Sequence, residues 1–186
     1  GFEIRVQAGL GSLAISNQEP ADKDEGPAYD ALLREERDLL RQVLVKGARC
    51  KVLLNPVRIF AKQMVPERLQ ARYRRLIGLL QGRSDLKGKA GKDDLTAMDR
   101  CQWALNPVPM PNLLILGDEV AYEGFKQSGS RGFERTRCET SPKVVQELAE
   151  SFDTHFDDCC KYGDQEDLAV TLQRFLDEAV ARHDGQ

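Results

Sequence analysis

Six polar or aromatic side chains lie where predicted strands begin or end, and their chemistry suits a small anionic or polar ligand. Guanidinium groups bind anions through paired hydrogen bonds, amides donate and accept, and an indole adds one donor to an apolar surface. In an open α/β sheet, the loops after the carboxyl ends of strands converge, and ligands bind there. The sequence therefore predicts a ligand site formed by Asn55, Arg58, Trp103, Asn112, Arg131 and Glu134. The alternative is that Trp103 belongs to the core and that Arg131 pairs with Glu134.

A second group of side chains has the chemistry of nucleic-acid binding. Residues 48–92 have a charge balance of +10, whereas residues 147–186 have a balance of -8. A basic half can meet phosphate groups, or it can pair with the acidic half of the same chain or of a second copy. The scarcity of aromatic residues argues against stacking on single strands. A phosphate track would consist of Arg68, Arg72, Arg75, Lys87, Lys89 and Lys92.

Histidine and cysteine chemistry has little support in the sequence. The chain has only two histidines, of which His155 is flanked by acids in a predicted helix and His183 lies near the end. The P-loop, HExxH and GxSxG patterns are absent, and the five cysteines have no CxxC spacing. We therefore expect no metal, no cofactor and reduced thiols, as is usual for a cytoplasmic protein. No apolar run approaches the ~18 residues of a membrane span, so no membrane partner is expected.

The first half of the chain reads as the start of an α/β layer. Residues 2–16 contain apolar runs typical of one or two strands, and the spacing of apolar residues from Tyr29 predicts a helix that stops at Gly47. The run "CKVLLNP" predicts a buried strand. Pro66 favours the start of a second helix with an apolar inner stripe, whose other face carries the three arginines named above.

The second half is richer in predicted strands. The runs "CQWAL", "LLIL", "EVAYEGF" and "FERTRCET" follow one another, with a two-residue turn predicted at Gly117-Asp118. Thr140 or Ser141 can cap a helix that has Pro142 in its first turn, and a final helix opens near Asp164. The pattern predicts one α/β domain over residues 1–162, with a C-terminal helix over residues 163–186 packed on the same domain.

Two segments resemble the phospholipase D superfamily. The stretch "LLILGDEVAYEG" matches the strand pair of that family's signature when Gly124 stands for the family glycine. The stretch "FERTRCETSPKVVQELAESF" is similar to the strand and Ser-Pro helix that follow, with Glu134 in the acidic position. The resemblance covers roughly residues 2–160 and implies a phospholipase D-like mixed sheet flanked by helices.

The catalytic residues of that family are missing at the matching positions. Met110 occupies the position of the histidine, Asn112 that of the lysine and Gly117 that of the aspartate. The family's chemistry uses the imidazole as a nucleophile on phosphorus, and a methionine cannot replace it. The resemblance therefore implies a non-catalytic domain, with an atypical phosphodiesterase as a remote alternative.

The resemblance also implies a biological setting. The family includes non-catalytic domains attached to helix-turn-helix segments, so we expect a sensing or interaction domain, such as the regulatory part of a longer bacterial transcription regulator. A chain that starts at Gly1 agrees with excision from a longer protein. Active members join two signature-bearing halves, which implies a homodimer here. The competing hypothesis is a nucleic-acid-binding module that uses the basic residues 68–92.

Overall fold

The computed structural model describes residues 1–8, 12–15, 27–56, 67–82, 92–106, 108, 110–125, 135–160 and 165–184. The first half contains strand β1 (Glu3–Ala8), a 3-10 helix (Ser12–Ala14), helix α1 (Pro27–Val45), strand β2 (Arg49–Leu54), helix α2 (Glu67–Leu80) and helix α3 (Lys92–Met98). The second half contains strands β3 (Cys101–Leu105), β4 (Asn112–Leu116), β5 (Val120–Phe125) and β6 (Arg135–Glu139), followed by helices α4 (Pro142–Cys160) and α5 (Gln165–Asp184).

The six strands form one mixed sheet in the order β3-β2-β1-β4-β5-β6. Strand β2 is parallel to both β1 and β3, whereas β4, β5 and β6 continue the sheet in antiparallel fashion from β1. Parallel neighbours need long crossovers, which is why helices separate β1, β2 and β3 along the chain. The structure thus confirms the predicted α/β class, a mixed sheet flanked by helices with an additional C-terminal helix.

Strand alternation sends side chains to two faces of this sheet. On the first face, Val6 lies between Val52 and Leu114, and the row continues outward to Trp103 and Tyr122. Helices α2, α3 and α5 bury apolar residues with this row in one core. On the second face, helix α4 packs Val145, Ala149, Phe152 and Phe156 against apolar residues of the sheet such as Ile115 and Ala121.

Local sequence explains where the helices stop and start. Helix α1 ends in a Schellman motif, in which the N–H of Gly47 donates to Leu44 and the N–H of Ala48 donates to Val43. Gly47 has φ 109°, a left-handed conformation that glycine adopts without strain. Helix α4 begins at Pro142, where the missing proline N–H costs no helical hydrogen bond.

Two local predictions need correction. The run "SLAIS" is not a strand: Ser12–Ala14 form the 3-10 helix, and Leu13, Ala14 and Ile15 are all buried. Strand β1 already pairs with β2 and β4, so neither of its edges could accept a further strand. The turn between β4 and β5 has three residues, 117–119, because Leu116 is the register partner of Val120.

Helix α5 joins the core of the first face. Its residues Leu168, Leu172, Leu176 and Ala179 are buried there together with residues of α2. The division of the chain at residue 162 stays a prediction.

Among the described helices, none is both long and apolar enough to cross a membrane.

Candidate ligand-binding groove

A groove with a volume of about 640 Å³ opens on the first face of the sheet. Its lining comes from all six strands, from helices α1 and α2, and from the 3-10 helix and the residue that follows it. The apolar contributors include Phe2, Ile4, Val6, Leu13, Ile15, Leu33, Leu39, Leu40, Val43, Val52, Leu113, Leu114, Leu116 and Tyr122. A cavity of this size with mainly apolar walls is typical of sites for small organic molecules.

The periodicity of two elements builds the groove. In β1, Ile4 and Val6 are two residues apart and therefore point to the same face. In α1, Leu33, Leu40 and Val43 are spaced by seven and three residues, which places them on one stripe of the helix. The groove therefore lies where the apolar stripe of α1 meets the apolar side of the sheet.

Some apolar lining residues remain exposed to solvent. Leu39 on α1 is 55% exposed, and Phe2 and Tyr122 are also exposed. None of these three belongs to the predicted site. The signal for Leu39 was present in the sequence, because it is an apolar residue that falls outside the inner stripe of the helix. Phe2 and Tyr122 gave no such signal, since a residue in or next to a strand is exposed or buried according to what covers its sheet.

Trp103 is the most deeply buried of the predicted ligand residues that line the groove. It is 6% exposed, and it is the only tryptophan of the chain. Its indole Nε1 is shielded from solvent and has no hydrogen-bond acceptor among the described residues. A buried donor without an acceptor destabilises the protein by about 1–3 kcal/mol. Trp103 is thus a core residue, as the alternative prediction held, and it also forms part of the groove.

Polar residues from other strands complete the lining. Asn112 on β4 is the register partner of Gly124 on β5, which in turn pairs with Thr136 on β6. All three line the groove, as do the charged residues Glu36 of α1 and Arg72 of α2. Two of the predicted ligand residues, Trp103 and Asn112, are therefore brought to the same groove. They belong to strands three positions apart, which corresponds to roughly 14 Å across the sheet.

Asn55 holds a backbone segment in the described structure, and its predicted role in ligand binding stays a prediction. Its amide Nδ2 donates to the carbonyl oxygen of Val108 over 2.7 Å. The carbonyl oxygen of Pro111 accepts a hydrogen bond from Gln7 Nε2, also over 2.7 Å. Asn106 accepts from the backbone N–H of Val108 over 2.9 Å. These buried amides fix the segment that leads into β4, and Asn55 is not part of the groove lining.

Arg58, Arg131 and Glu134 lie outside the described residues, so their part in the predicted ligand site stays a prediction. The same holds for the predicted ion pair between Arg131 and Glu134. Met110 accepts a hydrogen bond at Sδ from Asn106 Nδ2 over 3.0 Å.

Three arginines of α2, Arg68, Arg72 and Arg75, do not form the exposed basic face that the sequence predicts. Arg68 forms an ion pair with Asp30 of α1, and both side chains are nearly buried. Arg75 is only 9% exposed, and Arg72 lines the groove. The helical period correctly placed the three on one stripe, but that stripe faces other parts of the protein because the buried carboxylate of Asp30 requires a cation. Lys87 and Lys89 lie outside the described residues, as does the side chain of Lys92.

An ion cluster lies on the second face, away from the groove. Asp153 of α4 accepts hydrogen bonds from Arg5 over 2.8 Å and 3.0 Å and from Lys51 over 2.9 Å. The Lys51 ammonium also lies 5.5 Å from the centre of the Phe156 ring. Burial alone would raise the pKa of Asp153, but the hydrogen bonds from Arg5 and Lys51 outweigh it and lower that pKa. Because Arg5 lies on β1 and Lys51 on β2, these bonds to Asp153 join α4 to the sheet.

The remaining titratable clusters give no further site. His155 lies on α4, where its Nε2 is 3.9 Å from Sγ of Cys159, one turn away. Within the described ranges, no group of three or more His, Cys, Asp or Glu side chains has the geometry to hold a metal ion.

Comparisons with known proteins identify no family. No protein-family model matches the sequence, and no curated protein matches it. Among solved structures, the chain is similar to TrmBL2, an archaeal chromatin protein whose structure is described as showing a novel mode of DNA binding. The TM-score is 0.40 and the sequence identity 17%, over 84% of this chain and 43% of TrmBL2. This chain thus spans less than half of the TrmBL2 length, and a likeness of this size does not establish a shared fold.

Proposed function

We propose that this protein is a non-catalytic, phospholipase D-like binding domain that takes an apolar or amphipathic small molecule in the groove of the first face. The observation that carries the proposal is the groove itself, about 640 Å³ in volume, with apolar walls and a few polar side chains. Sites of this composition bind organic molecules by burying apolar surface and orient them through the few polar groups.

The exposure of the groove walls supports this proposal. Phe2, Leu39 and Tyr122 line one groove and are all exposed. Each buried apolar side chain contributes about 1.5–3 kcal/mol relative to the exposed state. A ligand that covers these residues would gain part of that free energy. Contiguous apolar surface of this kind marks binding sites more often than scattered apolar residues do.

The placement of the only described histidine side chain supports a role without catalysis. His155 is on α4, which packs on the second face of the sheet. The groove opens on the first face, so the sheet separates the imidazole from any ligand in the groove. At the family's histidine position, Met110 offers a thioether that already accepts a hydrogen bond. Among the described side chains, no imidazole is therefore placed to act as the nucleophile of that family at the groove.

Intrinsic fluorescence provides the experiment, because Trp103 is the only tryptophan and lines the groove. We expect the apolar dye phenylnaphthylamine to bind the full chain and to quench Trp103 emission by energy transfer. The Leu39→Glu variant places a charge in the groove wall, and we expect it to weaken dye binding by about tenfold or more.

Leu32→Glu is the matched control. Leu32 lies on the same helix and is 58% exposed, close to the 55% of Leu39, but it is not part of the groove lining. We expect dye affinity to be unchanged in this variant. Equal affinities of the parent and both variants would show that the dye binds elsewhere, and absence of dye binding by the folded parent would refute the proposal.

Nucleic-acid binding is the second candidate function, and the charge balance of +10 in residues 48–92 favours it. With Arg68, Arg72 and Arg75 turned inward, the phosphate contacts would come from Lys87, Lys89 and Lys92. Changing all three to Ala should weaken binding of a duplex oligonucleotide and reduce the slope of log affinity against log salt by about 2–3. The exposed Lys143→Ala serves as the control. A parent protein that binds no oligonucleotide at low salt would exclude this candidate.

We also propose self-association as a homodimer, which rests on the family resemblance and on the opposite charge balances of residues 48–92 and 147–186. Sedimentation equilibrium at several protein concentrations tests it directly. We expect a particle of twice the chain mass, and a monomer at every concentration would refute it.

A further inference from the structure

We propose that the groove selects apolar molecules that carry a hydrogen-bond acceptor, such as a ketone or an ester, and that the indole N–H of Trp103 donates to that acceptor. This inference rests on the proposed ligand-binding function and adds the class of ligand. It concerns a buried donor on β3, at the edge of the described sheet and in the wall of a groove that is otherwise mainly apolar.

The first step is the state of the indole donor. Trp103 Nε1 is shielded from solvent and has no acceptor among the described residues. An indole nitrogen can only donate, so no rearrangement of protons removes the need for an acceptor. The great majority of buried polar groups in proteins have a partner, so an orphan of this kind calls for an explanation, such as strain, an ordered water or a ligand.

The second step is the location of that donor. The register partner of Trp103 is Val52, whose partner in turn is Val6, and all three line the groove. The indole therefore faces an apolar neighbourhood on the sheet side, which contributes no acceptor. Because the same indole lines the groove, an occupant would supply the acceptor if the Trp103 side chain rotates so that its N–H faces the groove.

The third step concerns selectivity. A site that contains a buried donor discriminates against a ligand that lacks the matching acceptor, because the donor then stays unpaired. A purely apolar molecule can fill the groove but cannot satisfy Trp103. A molecule of the same shape with a carbonyl group gains one hydrogen bond, worth about 1 kcal/mol net, which corresponds to about fivefold in affinity.

The test compares two probes of nearly identical shape, a phenyl alkyl ketone and the alkylbenzene of the same chain length. Their affinities for the full chain are measured by isothermal titration. The two probes differ in how readily they leave water, but that difference is the same for every protein variant and cancels in the comparison. We expect Trp103→Phe to lower the affinity for the ketone by about fivefold and to leave the affinity for the alkylbenzene nearly unchanged.

A second replacement keeps the shape of the indole, because Trp103→Phe leaves a space in the core. Since the chain has a single tryptophan, benzothienylalanine, in which sulfur replaces the N–H, can be incorporated at position 103 alone. We expect the same selective loss of ketone affinity. In the parent protein, the single indole resonance in a proton–nitrogen spectrum should move downfield with the ketone but not with the alkylbenzene.

The outcomes separate this inference from the function on which it rests. If neither probe binds the folded parent, the groove does not bind small molecules and the proposed function fails as well. If both probes bind but the sulfur isostere binds the ketone as tightly as the parent does, the groove is real and the role of Trp103 is refuted. An indole resonance that does not respond to bound ketone would also overturn the inference.

Discussion

Replacing Asp153 should reveal how much the ion cluster of the second face stabilises the protein. In Asp153→Asn the negative charge is lost, while one oxygen remains to accept a hydrogen bond. Hydrogen bonds to charged groups contribute about 1.5–3 kcal/mol, against about 1 kcal/mol for neutral ones. Asp153 bonds to both Arg5 and Lys51, and its partial exposure places each contribution at the low end. We therefore expect the free energy of unfolding to fall by about 2 kcal/mol.

Urea denaturation followed by Trp103 fluorescence measures this change. With a slope of about 2 kcal/mol per M, the midpoint should fall by about 1 M. Asp157→Asn is the matched control, because Asp157 lies one turn further along α4 and is exposed. We expect that control to change the free energy by less than about 0.5 kcal/mol.

The pH dependence of the same measurement checks the mechanism. The pKa of Asp153 is lowered in the folded protein, so its charge stabilises the fold above the unfolded-state pKa of about 3.9 and this contribution is lost as the pH falls through the folded-state pKa. The difference between parent and Asp153→Asn should be complete at neutral pH and shrink below about pH 4. A difference that is absent at neutral pH, or no larger than that of Asp157→Asn, would refute the role given to the cluster.

Three further predictions test other parts of the structure. Gly117→Ala should lower thermal stability by more than Gly82→Ala. Both glycines have positive φ, but a Cβ at Gly117 would lie 3.0 Å from the Phe2 ring, whereas one at Gly82 meets nothing within 4 Å. Equal losses of thermal stability would contradict the contact between Gly117 and Phe2. Arg68→Ala should destabilise the protein by about 2–3 kcal/mol, because it leaves the nearly buried Asp30 without this cation. Arg74→Ala, on the exposed side of α2, should change the free energy of unfolding little. Equally small effects of both variants would indicate that Arg68 is exposed, as the sequence predicts. Labelling of the native protein with a thiol reagent should modify Cys138 first and Cys160 more slowly, since burial raises the pKa of Cys160. Cys50 and Cys101 should react only after unfolding, because both are buried and the neighbouring thiol raises the pKa of Cys50. Fast reaction of either buried thiol would contradict the packing of β2 beside β3.

Most elements of the fold could be predicted because their signals are local. The apolar spacing of α1 and the Gly47 stop signal together define a helix, and short apolar runs between turn residues define the strands β3 to β5. The run around Leu13 misled because consecutive buried residues are compatible with a strand or a tight helical turn. A strand next to β1 would have required a free edge of β1. Both edges are taken by β2 and β4, which are distant in the sequence, so the local sequence could not exclude a strand around Leu13.

The candidate site was less predictable for a related reason. A helical period shows that Arg68, Arg72 and Arg75 share a stripe, but not what that stripe faces. The counter-charge at Asp30 lies 38 residues away from Arg68, so the sequence alone does not pair them. Likewise, Trp103 and Asn112 could be proposed as ligand residues from their strand-end positions, whereas the apolar walls come from α1, β1 and β5, which meet only in the folded protein.

The central claim is that the groove of the first face holds an apolar ligand, and the position of a bound probe tests it most directly. Nuclear Overhauser contacts can be measured between bound phenylnaphthylamine and the methyl groups of the full chain. We predict contacts to Val43 of α1, to Leu114 of β4 and to the Trp103 indole, all of which line the groove. Contacts to Val145 and its neighbours on the second face, or a saturated probe that gives no contact to the groove, would contradict the account.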